Sequence, residues 1–474
     1  MRMLIAGEWL DGTLREHVTN PFDGSVIDTV PVASSAEVER ALEAAVRGAA
    51  RQRHTPAYDR QMILMRAADI ADQRVDDLAR TISLESGKLL AEATGEASRA
   101  GDMLRLAAFE GAHLYGDSLP LDAHRGAGQG RVGFTLRQPC GVVVAITPFN
   151  YPSLLVLHKI APALAAGNAV ILKPARKTPL TALKLMEILL DAGLDPEAIS
   201  CVTGPGAELG EMLCRDPRVR KISFTGNSAT GEAITRIAGV KRLSLELGAS
   251  CPVVVLPDAD IELAARAVSI GGYVNAGQVC ISVQRVLVDR TVVGDFLDAL
   301  TPLVRTIQTG DPLDPRTTVG VLVSEAEAQR VEAAIKGSVA SGARVLCGGE
   351  RDGTKISPAV VADVDPASPF SQEELFGPAV AVSTASGIEE AIGLANDSPY
   401  GLGAGVFTRD VSTALRFARD VDAGNVHINW TPLWRADLMP YGGLKSSGFG
   451  KEGPRWAVEE MTETKTVILH GSDR

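Results

Sequence analysis

Residues 141–152 read GVVVAITPFNYP, and residues 168–176 read NAVILKPAR. In both stretches a short run of apolar, mostly β-branched residues ends at a turn containing proline, which is typical of a buried strand. The pattern recurs with helix-like segments in between, so it predicts a parallel, doubly wound sheet with a nucleotide-binding crevice. The five predicted strands cover residues 141–146, 169–172, 199–202, 221–224 and 253–256.

The residues before this segment predict a small β region followed by a helical layer. Turn signals such as Asp11-Gly12 indicate short strands within residues 1–30. Helical periodicity then extends over residues 36–50 and 60–93, with a break expected at Ser86-Gly87.

Two segments far apart in the chain have the alternating pattern of exposed strands. They are residues 131–138 (RVGFTLRQ) and 462–470 (TETKTVILH). Exposed strand edges favour pairing with another chain. We therefore expect these segments to contribute to contacts with a partner subunit.

Length and composition exclude several classes of protein. The chain has 474 residues, of which 45% are hydrophobic, so it has the composition of a globular protein with about three folding units. The net charge is −11, and no lysine- or arginine-rich run is present. Nucleic acid and membranes are therefore not expected as partners. No metal site is predicted.

The cysteine pattern favours a reducing compartment. No CxxC pair is present, and the cysteines are scattered through a long chain. Acidic residues interrupt the apolar N-terminal stretch at Glu8 and Asp11, and no later run reaches about 18 uninterrupted apolar residues. We therefore expect a soluble, cytoplasmic protein. Its cysteines are Cys140, Cys201, Cys214, Cys251, Cys280 and Cys347.

Two residues are candidates for covalent and acid–base chemistry. Cys280 ends the segment NAGQVC (275–280) and is a candidate nucleophile, although a lone cysteine also fits a structural role, as do the other five. Glu246 lies in the strand-like run LSLELG (243–248). Burial would raise its pKa and suit it to general base catalysis, whereas an edge strand would place it in solvent.

Two glycine clusters follow predicted strands and open predicted helices. They are VTGPGAELG (202–210) and FTGNSATG (224–231). A helix N-terminus favours a phosphate, but neither cluster is a G-x-G-x-x-G fingerprint, and either one is compatible with a simple turn. Asn150 and Lys173 end two predicted strands. They are candidates to bind an oxyanion and a ribose or phosphate, with a turn-forming and a solvated role as alternatives.

Taken together, these segments resemble the NAD(P)-dependent aldehyde dehydrogenase superfamily from about residue 5 to the C-terminus. Their order and spacing match as well as their residues. The matching motifs are TPFNYP (147–152), KIAPALAAGNAVILKPA (159–175), FTGNSATG (224–231), LELG (245–248), NAGQVC (275–280), EELFGP (373–378) and PYGGLKSSGFGKEG (440–453).

The resemblance implies an α/β fold with a Rossmann-type cofactor domain, an α/β catalytic domain and a small β extension for oligomerisation. The predicted cofactor domain covers residues 1–119 and 140–249, and the catalytic domain covers 250–454. Residues 120–139 and 455–474 form the extension. A homodimer or homotetramer is implied, with the active site in a tunnel between the two large domains.

The resemblance also implies site roles for an aldehyde dehydrogenase that uses NAD or NADP. Cys280 is the nucleophile and Glu246 the general base, while the Asn150 side chain and the Cys280 N–H form the oxyanion hole. Lys159 is implied to tune the proton path. Because the base is present, hydrolysis of the thioester to an acid is favoured over a CoA-acylating reaction. The implied cofactor residues are Thr147, Pro148, Phe149, Lys173, Ala175, Arg176, Gly206, Gly210, Phe224, Gly226, Asn227, Leu247, Glu374 and Phe376, the last two at the nicotinamide ribose.

Several positions depart from the commonest pattern of the superfamily. Many NAD-preferring relatives have glutamate where this chain has Arg176. An arginine can pair with the 2′-phosphate of NADP, or it can point into solvent. Asn227 replaces a common serine, and Phe149 stands where tryptophan is frequent. Ala249-Ser250 replaces a usual glycine, which would change how freely Glu246 swings.

The resemblance places the substrate among Tyr151, Leu155, His158, Val279, Ile281 and the loop 430–438. Arg435 and His158 would receive a short anionic or hydroxylated aldehyde, although Arg435 could instead anchor its loop by a salt bridge. The motifs are most similar to the lactaldehyde, phosphonoacetaldehyde and sulfoacetaldehyde branches. The alternatives are a succinate-semialdehyde-type or CoA-acylating dehydrogenase, and a binding or structural protein that retains the fold.

Overall fold

Strands and helices alternate along most of the chain, which confirms the predicted α/β class. The computed structural model describes residues 1–126 and 128–470. Within these two ranges, every helix is too short or too polar to cross a membrane. The described residues also include 3₁₀ turns at Leu121–Ala123 and Val274–Gly277.

The helices are α1 (Ser35–Gln52), α2 (Ala57–Gln73), α3 (Val75–Ser86), α4 (Leu90–Ala112), α5 (Leu154–Ala165), α6 (Pro179–Asp191), α7 (Gly206–Arg215), α8 (Ser228–Ala238), α9 (Ile261–Gly271), α10 (Val293–Arg305), α11 (Glu325–Ala340), α12 (Pro369–Gln372), α13 (Gly387–Asn396), α14 (Val411–Asp420) and α15 (Pro454–Glu460). The strands are β1 (Met3–Ile5), β2 (Glu8–Leu10), β3 (Leu14–Thr19), β4 (Val26–Val32), β5 (Ser118–Leu119), β6 (Arg131–Pro139), β7 (Val142–Ile146), β8 (Ala169–Lys173), β9 (Ile199–Cys201), β10 (Val219–Thr225), β11 (Arg242–Glu246), β12 (Cys251–Val255), β13 (Val283–Asp289), β14 (Arg344–Cys347), β15 (Arg351–Asp352), β16 (Lys355–Ile356), β17 (Ala359–Ala362), β18 (Ala379–Ala385), β19 (Tyr400–Gly401), β20 (Gly403–Phe407), β21 (Asn425–Ile428), β22 (Leu444–Lys445), β23 (Gly448–Phe449) and β24 (Thr462–His470).

The first large sheet has the strand order β2-β1-β9-β8-β7-β10-β11-β23. Strands β7 to β11 are parallel, and Val144 of β7 lies between Ile171 and Ile222 of its two neighbours. The chain winds outward from β7 first in one direction and then in the other, so the order reverses between β7 and β10. Such a reversal opens a crevice at the carboxyl edge of the sheet, where ligands bind in doubly wound folds. Four of the five predicted strands correspond to β7, β8, β9 and β10 in the middle of this sheet.

The fifth predicted strand, residues 253–256, belongs to a different sheet. Strand β12 pairs with β13 and β20 in the order β14-β17-β18-β13-β12-β20-β21, whose strands are parallel except for β14. The prediction of one continuous sheet over residues 141–256 is therefore wrong at its end. A buried parallel strand has the same apolar pattern in either sheet, so the pattern cannot show which sheet it joins.

The two predicted exposed strands are confirmed, and they pair with each other. Strands β6 and β24 run antiparallel from Thr462 opposite Pro139 to His470 opposite Arg131, and β5 completes this third sheet. Exposed apolar side chains lie along both long strands. They are Val132, Leu136, Ile468 and Leu469.

The predicted helical layer is confirmed, with one additional break. Helix α1 begins at the capping box of Ser34 and Glu37. The helical segment predicted over residues 60–93 divides at Gly87, which ends α3 in a left-handed conformation (φ 76°), and also at Arg74. Glycine provides a signal for the first break, but no glycine or proline marks the second.

Candidate active site

The turns at the carboxyl edge of the first sheet lie side by side. The register pairs Ile146 with Lys173 and Thr225 with Glu246. The Thr147 N–H donates to the carbonyl of Lys173 (3.2 Å), and the Gly226 N–H donates to the carbonyl of Glu246 (3.1 Å). Residues predicted from separate motifs are thus brought together by strand pairing.

An unusual turn presents Cys280. The 3₁₀ turn before it holds Asn275 (φ 53°) and Ala276 (φ 54°) in the left-handed region. A Cβ on the next residue, Gly277, would lie 2.1 Å from the carbonyl oxygen of Gly377, so only glycine fits there. Left-handed non-glycine residues cost free energy and persist where neighbouring contacts hold them.

Amide side chains supply those contacts. Gln278 accepts from the Val323 N–H (2.9 Å) and donates to the carbonyl of Val321 (3.2 Å). Asn150 Nδ2 donates to the carbonyl of Gln278 (2.9 Å). Because an amide nitrogen carries two hydrogens, one N–H of Asn150 remains for another acceptor beside Cys280.

The thiol of Cys280 has a hydroxyl neighbour. Its Sγ lies 3.0 Å from the hydroxyl oxygen of Tyr441, which in turn donates to Oε1 of Glu246 (3.4 Å). Burial and the charge of Glu246 raise the pKa of Cys280 well above its usual value. The thiol is therefore protonated in this arrangement, and a base is needed to generate the thiolate.

Glu246 ends β11 and is buried, with 4% of its surface exposed. The solvent-facing alternative is therefore wrong. Burial, with the charge of Glu452 adding to it, raises the pKa of Glu246 to about 7. Within the described residues its Oε2 atom has no hydrogen-bond partner. A carboxylate with these properties can collect a proton near neutral pH.

Buried ion pairs surround this carboxylate. Glu452 accepts from Lys159 Nζ (3.0 Å) and from Arg435 Nη2 (3.0 Å). Although burial opposes ionisation, the charges of Lys159 and Arg435 hold the pKa of Glu452 well below its usual range. Burial and the charge of Arg435 lower the pKa of His158. Lys159 thus lies near the catalytic groups, as the resemblance implied, and Arg435 makes the salt bridge offered as its alternative role.

Two cavities meet at Cys280, Asn150 and Leu155, which line both. The smaller cavity has a volume of about 100 Å³. It is lined by every predicted substrate residue outside the loop 430–438, namely Tyr151, Leu155, His158, Val279 and Ile281, and from that loop by Leu433 and Arg435. Trp434 and Leu438 of the same loop are exposed.

The larger cavity has a volume of about 570 Å³ and is lined by about half of the predicted cofactor residues. Glu374 in its wall accepts from the Ala249 N–H (3.0 Å), and burial raises the pKa of Glu374 to about 7. Phe376 (φ 50°) meets the ring of Phe149 edge to face, with centroids 5.9 Å apart. The predicted residues in this wall are Pro148, Phe149, Gly226, Asn227, Leu247, Glu374 and Phe376.

The other predicted cofactor residues lie outside that wall. Phe224 is buried, and a Cβ on Gly226 would lie 2.5 Å from its ring. Gly210 lies on α7, where an added Cβ would be 3.9 Å from Ile146. Asn227, which is part of the wall, also caps α8 by accepting from the Thr230 N–H (2.8 Å). The residues outside the wall are Thr147, Lys173, Ala175, Arg176, Gly206, Gly210 and Phe224.

Lys173 and Arg176 form a separate charged group with Glu16. Arg176 Nε donates to Glu16 Oε2 (2.6 Å), and Arg176 is 59% exposed. Burial lowers the pKa of Lys173 to about 8, and the charge of Glu16 opposes this change. The other carboxylate oxygen of Glu16 is buried and has no hydrogen-bond partner in the described part of the chain.

Sequence reasoning missed four residues that shape the site. Tyr441 and Glu452 stand inside the motif PYGGLKSSGFGKEG, but no spacing links them to Cys280 or Glu246. Arg99, which lines the smaller cavity, is a charged residue on helix α4 with no local signal. Glu16 on β3 likewise has no local sequence signal. These four residues reach the site only through the tertiary fold.

Comparison with known proteins identifies the family of this chain. The sequence profile of the Aldehyde dehydrogenase family matches residues 9–467. A 3-sulfolactaldehyde dehydrogenase of Priestia aryabhattai is 40% identical, covering 99% of this chain and 98% of the relative. A lactaldehyde dehydrogenase of Methanococcus vannielii is 38% identical, covering 99% and 100%.

A solved structure gives the same answer. The NADP-dependent glyceraldehyde-3-phosphate dehydrogenase of Bacillus halodurans C-125, solved as a complex with NADP, has a TM-score of 0.97 and 34% identity, and 99% of each chain is covered. Both the match of the family profile and these identities extend over nearly the whole chain. This protein belongs to the aldehyde dehydrogenase family.

Proposed function

We propose that this protein oxidises a short anionic or hydroxylated aldehyde to the carboxylic acid, with NAD⁺ or NADP⁺ as the oxidant. The observation that carries the proposal is the position of Cys280, whose thiol lies where a small and a large cavity meet. A nucleophile at such a junction can face a substrate on one side and a coenzyme on the other. The smaller cavity, about 100 Å³, is well below the roughly 300–1,000 Å³ of pockets for drug-sized ligands, which suits a short substrate.

Addition of the Cys280 thiolate to the aldehyde carbon begins the reaction. The carbon–sulfur bond forms and the carbonyl oxygen becomes an oxyanion, for which the free N–H of Asn150 and the Cys280 backbone N–H are the donors. The hydrogen bond from Asn150 to Gln278 (2.9 Å) holds the amide in place before the substrate arrives. Preorganised donors of this kind stabilise the tetrahedral adduct.

Glu246 then acts on the second half of the reaction. Water attacks the thioester carbon while Glu246 accepts its proton, the carbon–sulfur bond breaks, and the acid leaves. A pKa near 7 means that this carboxylate is available as a base at neutral pH. Lys159 and Arg435, by pairing with Glu452, balance the charge behind it.

The residues at the carboxyl edge fit a dinucleotide. The hydroxyls of Thr147 and Thr225 are buried there without a partner in the described residues, and α8 begins at the same edge. Glu374 and Phe376 would hold the nicotinamide ribose, while Lys173 and the N-terminus of α7 would hold the adenosine side. When bound, the nicotinamide supplies the hydride acceptor that converts the adduct on Cys280 to a thioester.

The choice between NAD⁺ and NADP⁺ depends on Glu16 and Arg176. Arg176 offers a guanidinium to a 2′-phosphate, but the carboxylate of Glu16 neutralises it and would repel that phosphate. The partnerless oxygen of Glu16 can instead accept a ribose hydroxyl. This arrangement favours NAD⁺ while keeping NADP⁺ accessible, since an exposed ion pair is weak and rearranges easily.

Glu16→Gln is expected to raise the ratio of kcat/KM for NADP⁺ to that for NAD⁺ by about tenfold, because a phosphate then meets a free guanidinium instead of a like charge. Initial rates with each coenzyme measure the ratio. Arg176→Gln is the opposing variant and should lower the same ratio. Equal ratios in all three proteins would place the coenzyme phosphate elsewhere.

The proposed anion receptor is Arg435. Its Nη2 is used by Glu452, but its buried Nε has no partner within the described residues and belongs to a side chain that lines the smaller cavity. Arg99 lines the same cavity but is paired with Asp437 (3.0 Å). A carboxylate, sulfonate or phosphonate on the substrate would therefore find Arg435 the better partner.

Arg435→Gln is expected to lower kcat/KM for sulfoacetaldehyde by about 10- to 100-fold more than for propanal, which matches the worth of one hydrogen bond to a charged group, about 1.5–3 kcal/mol. Arg435→Gln also removes the ion pair with Glu452, which could lower activity with every substrate. Comparing two aldehydes in the same variant cancels such a general loss of activity. Equal losses for both substrates would show that Arg435 only anchors its loop.

A panel of short aldehydes tests the overall function. Anionic, hydroxylated and aliphatic aldehydes would be assayed with NAD⁺ and with NADP⁺, in the presence and absence of coenzyme A. Formation of the free acid supports the proposal, whereas an acyl-CoA product would indicate a CoA-acylating enzyme. Lack of activity with every aldehyde would favour the binding or structural alternative.

The proposed setting is a homodimer or homotetramer in a reducing compartment such as the cytoplasm. The exposed apolar residues along β6 and β24 support association through the third sheet. The six cysteines, all free in the structure, support the compartment. The predicted three-part division of the chain stays a proposal. Light scattering in solution would measure the subunit number.

A further inference from the structure

Tyr441 connects the nucleophile to the base. Its hydroxyl oxygen lies 3.0 Å from Cys280 Sγ and 3.4 Å from Glu246 Oε1. The side chain is 1% exposed, so water does not compete freely for this hydroxyl. A buried tyrosine hydroxyl normally has a hydrogen-bond partner, and here both neighbours are groups of the reaction.

Three contacts fix the hydroxyl in that place. The Tyr441 N–H donates to the carbonyl of Glu452 (3.1 Å), and the Glu452 N–H donates to the carbonyl of Tyr441 (2.7 Å). The guanidinium of Arg435 lies over the ring, 3.9 Å from its centroid. The backbone bridge sets the position of the residue, and the stacked cation sets the plane of the ring.

Building on the proposed dehydrogenase function, we infer that Tyr441 passes the thiol proton of Cys280 to Glu246 and then holds the thiolate by a hydrogen bond. The S–H bond breaks as a new O–H bond forms on Tyr441, and the original phenolic proton moves to Glu246 Oε1. The products are a thiolate, a neutral carboxyl group and an unchanged tyrosine, whose new O–H points at the sulfur. Glu246 then releases this proton to solvent, so that it can later accept a proton from the hydrolytic water. No external reactant is needed.

The direction of transfer follows from the hydrogen bonds. Because the phenolic O–H donates to Glu246, its oxygen is free to accept from the thiol. Other charges act on the same groups, and each contributes to the pH dependence of the thiol. The titratable groups that face Cys280 are Glu246, Glu374, Tyr441 and Tyr151. Arg435 faces Tyr441, and the charges of Lys159 and Glu452 act on Glu246.

Alkylation of Cys280 by iodoacetamide tests the inference without substrate or coenzyme. The rate in the purified full-length protein is measured against pH, with labelling of Cys280 verified by mass spectrometry. Tyr441→Phe is expected to raise the midpoint by about one pH unit and to slow labelling about tenfold at a fixed pH below it. Tyr151→Phe removes another hydroxyl from the same cavity, one that makes no hydrogen bond to Cys280 in the described residues, and should move the midpoint much less than Tyr441→Phe does.

An unchanged midpoint in Tyr441→Phe, with thermal unfolding like that of the wild type, would overturn the inference and leave direct transfer from Cys280 to Glu246. Equal shifts in both variants would also overturn it, since any pocket hydroxyl would then suffice. If the phenylalanine variant unfolds early, 3-fluorotyrosine at position 441 gives a second test. Its more acidic hydroxyl should lower the midpoint, and a rise or no change would count against the inference.

The outcome is independent of the proposed function, because labelling requires only the thiol. If Tyr441→Phe left the alkylation midpoint unchanged while the wild type oxidised aldehydes normally, only the proton relay would be ruled out. Lack of oxidation of every aldehyde by the wild type would instead remove the proposed function, whatever the labelling shows.

Discussion

Cys280→Ala is expected to lower kcat for aldehyde oxidation by at least about 10⁴-fold, because no carbon–sulfur bond can form without the nucleophile. Among the residues described, the other cysteines lie outside both cavity walls, so none can replace it. Coenzyme binding should persist, since Cys280 forms only a small part of the wall of the larger cavity. Formation of reduced coenzyme measures the first expectation, and a fluorescence titration measures the second.

Cys347→Ala provides the matched control. This cysteine is also partly exposed, but it lies on β14 at the edge of the second sheet. The variant should keep wild-type activity. During turnover, quenched samples of the wild type should contain an acylated peptide that includes Cys280, and this peptide should be missing in Cys280→Ala. Full activity in Cys280→Ala would contradict the nucleophile assignment and, with it, the proposed mechanism.

The central strands of the first sheet could be predicted because each carries its own local signal. The runs ending at Thr147 and Lys173 are short, apolar and stopped by proline, and parallel pairing then brings their ends together. Glu246 could be placed near Cys280 only through the family resemblance, because they come from strands and turns far apart in the chain. The burial of Glu246, and so its raised pKa, required the fold.

Other features have no local signal at all. The assignment of β12 to the second sheet and the helix break at Arg74 depend on packing partners, which an apolar pattern does not specify. The same is true of Glu16 on β3, which pairs with Arg176 in the segment after β8, and of Tyr441, whose hydroxyl matters only because of what lies on either side of it. Side chains that act through long-range contacts are visible in the structure alone.

Glu246→Gln is expected to lower steady-state turnover by about 10²–10⁴-fold, the usual contribution of a general base. The first turnover should still release close to one equivalent of reduced coenzyme per subunit, more slowly than in the wild type, and then stop at the thioester. Stopped-flow measurement of reduced coenzyme separates this burst from the steady state. Glutamine has nearly the same shape, so the buried site should keep its fold.

The pH dependence gives an independent signature. A base acts in its deprotonated form, so hydrolysis in the wild type should become faster as pH rises through about 7, the raised pKa of Glu246. The rise should disappear in Glu246→Gln. Glu374→Gln is the matched control because the pKa of Glu374 is also raised to about 7. It should weaken coenzyme binding and keep the rise.

Hydroxylamine separates loss of the base from loss of the acyl-enzyme. It attacks a thioester without needing a proton acceptor, so it should restore turnover in Glu246→Gln toward the burst rate and yield a hydroxamic acid. It should have no effect on Cys280→Ala, which forms no thioester. If Glu246→Gln gave neither a burst nor rescue, the role of Glu246 would lie before the thioester, in activating Cys280 through Tyr441, and another group would have to activate the water.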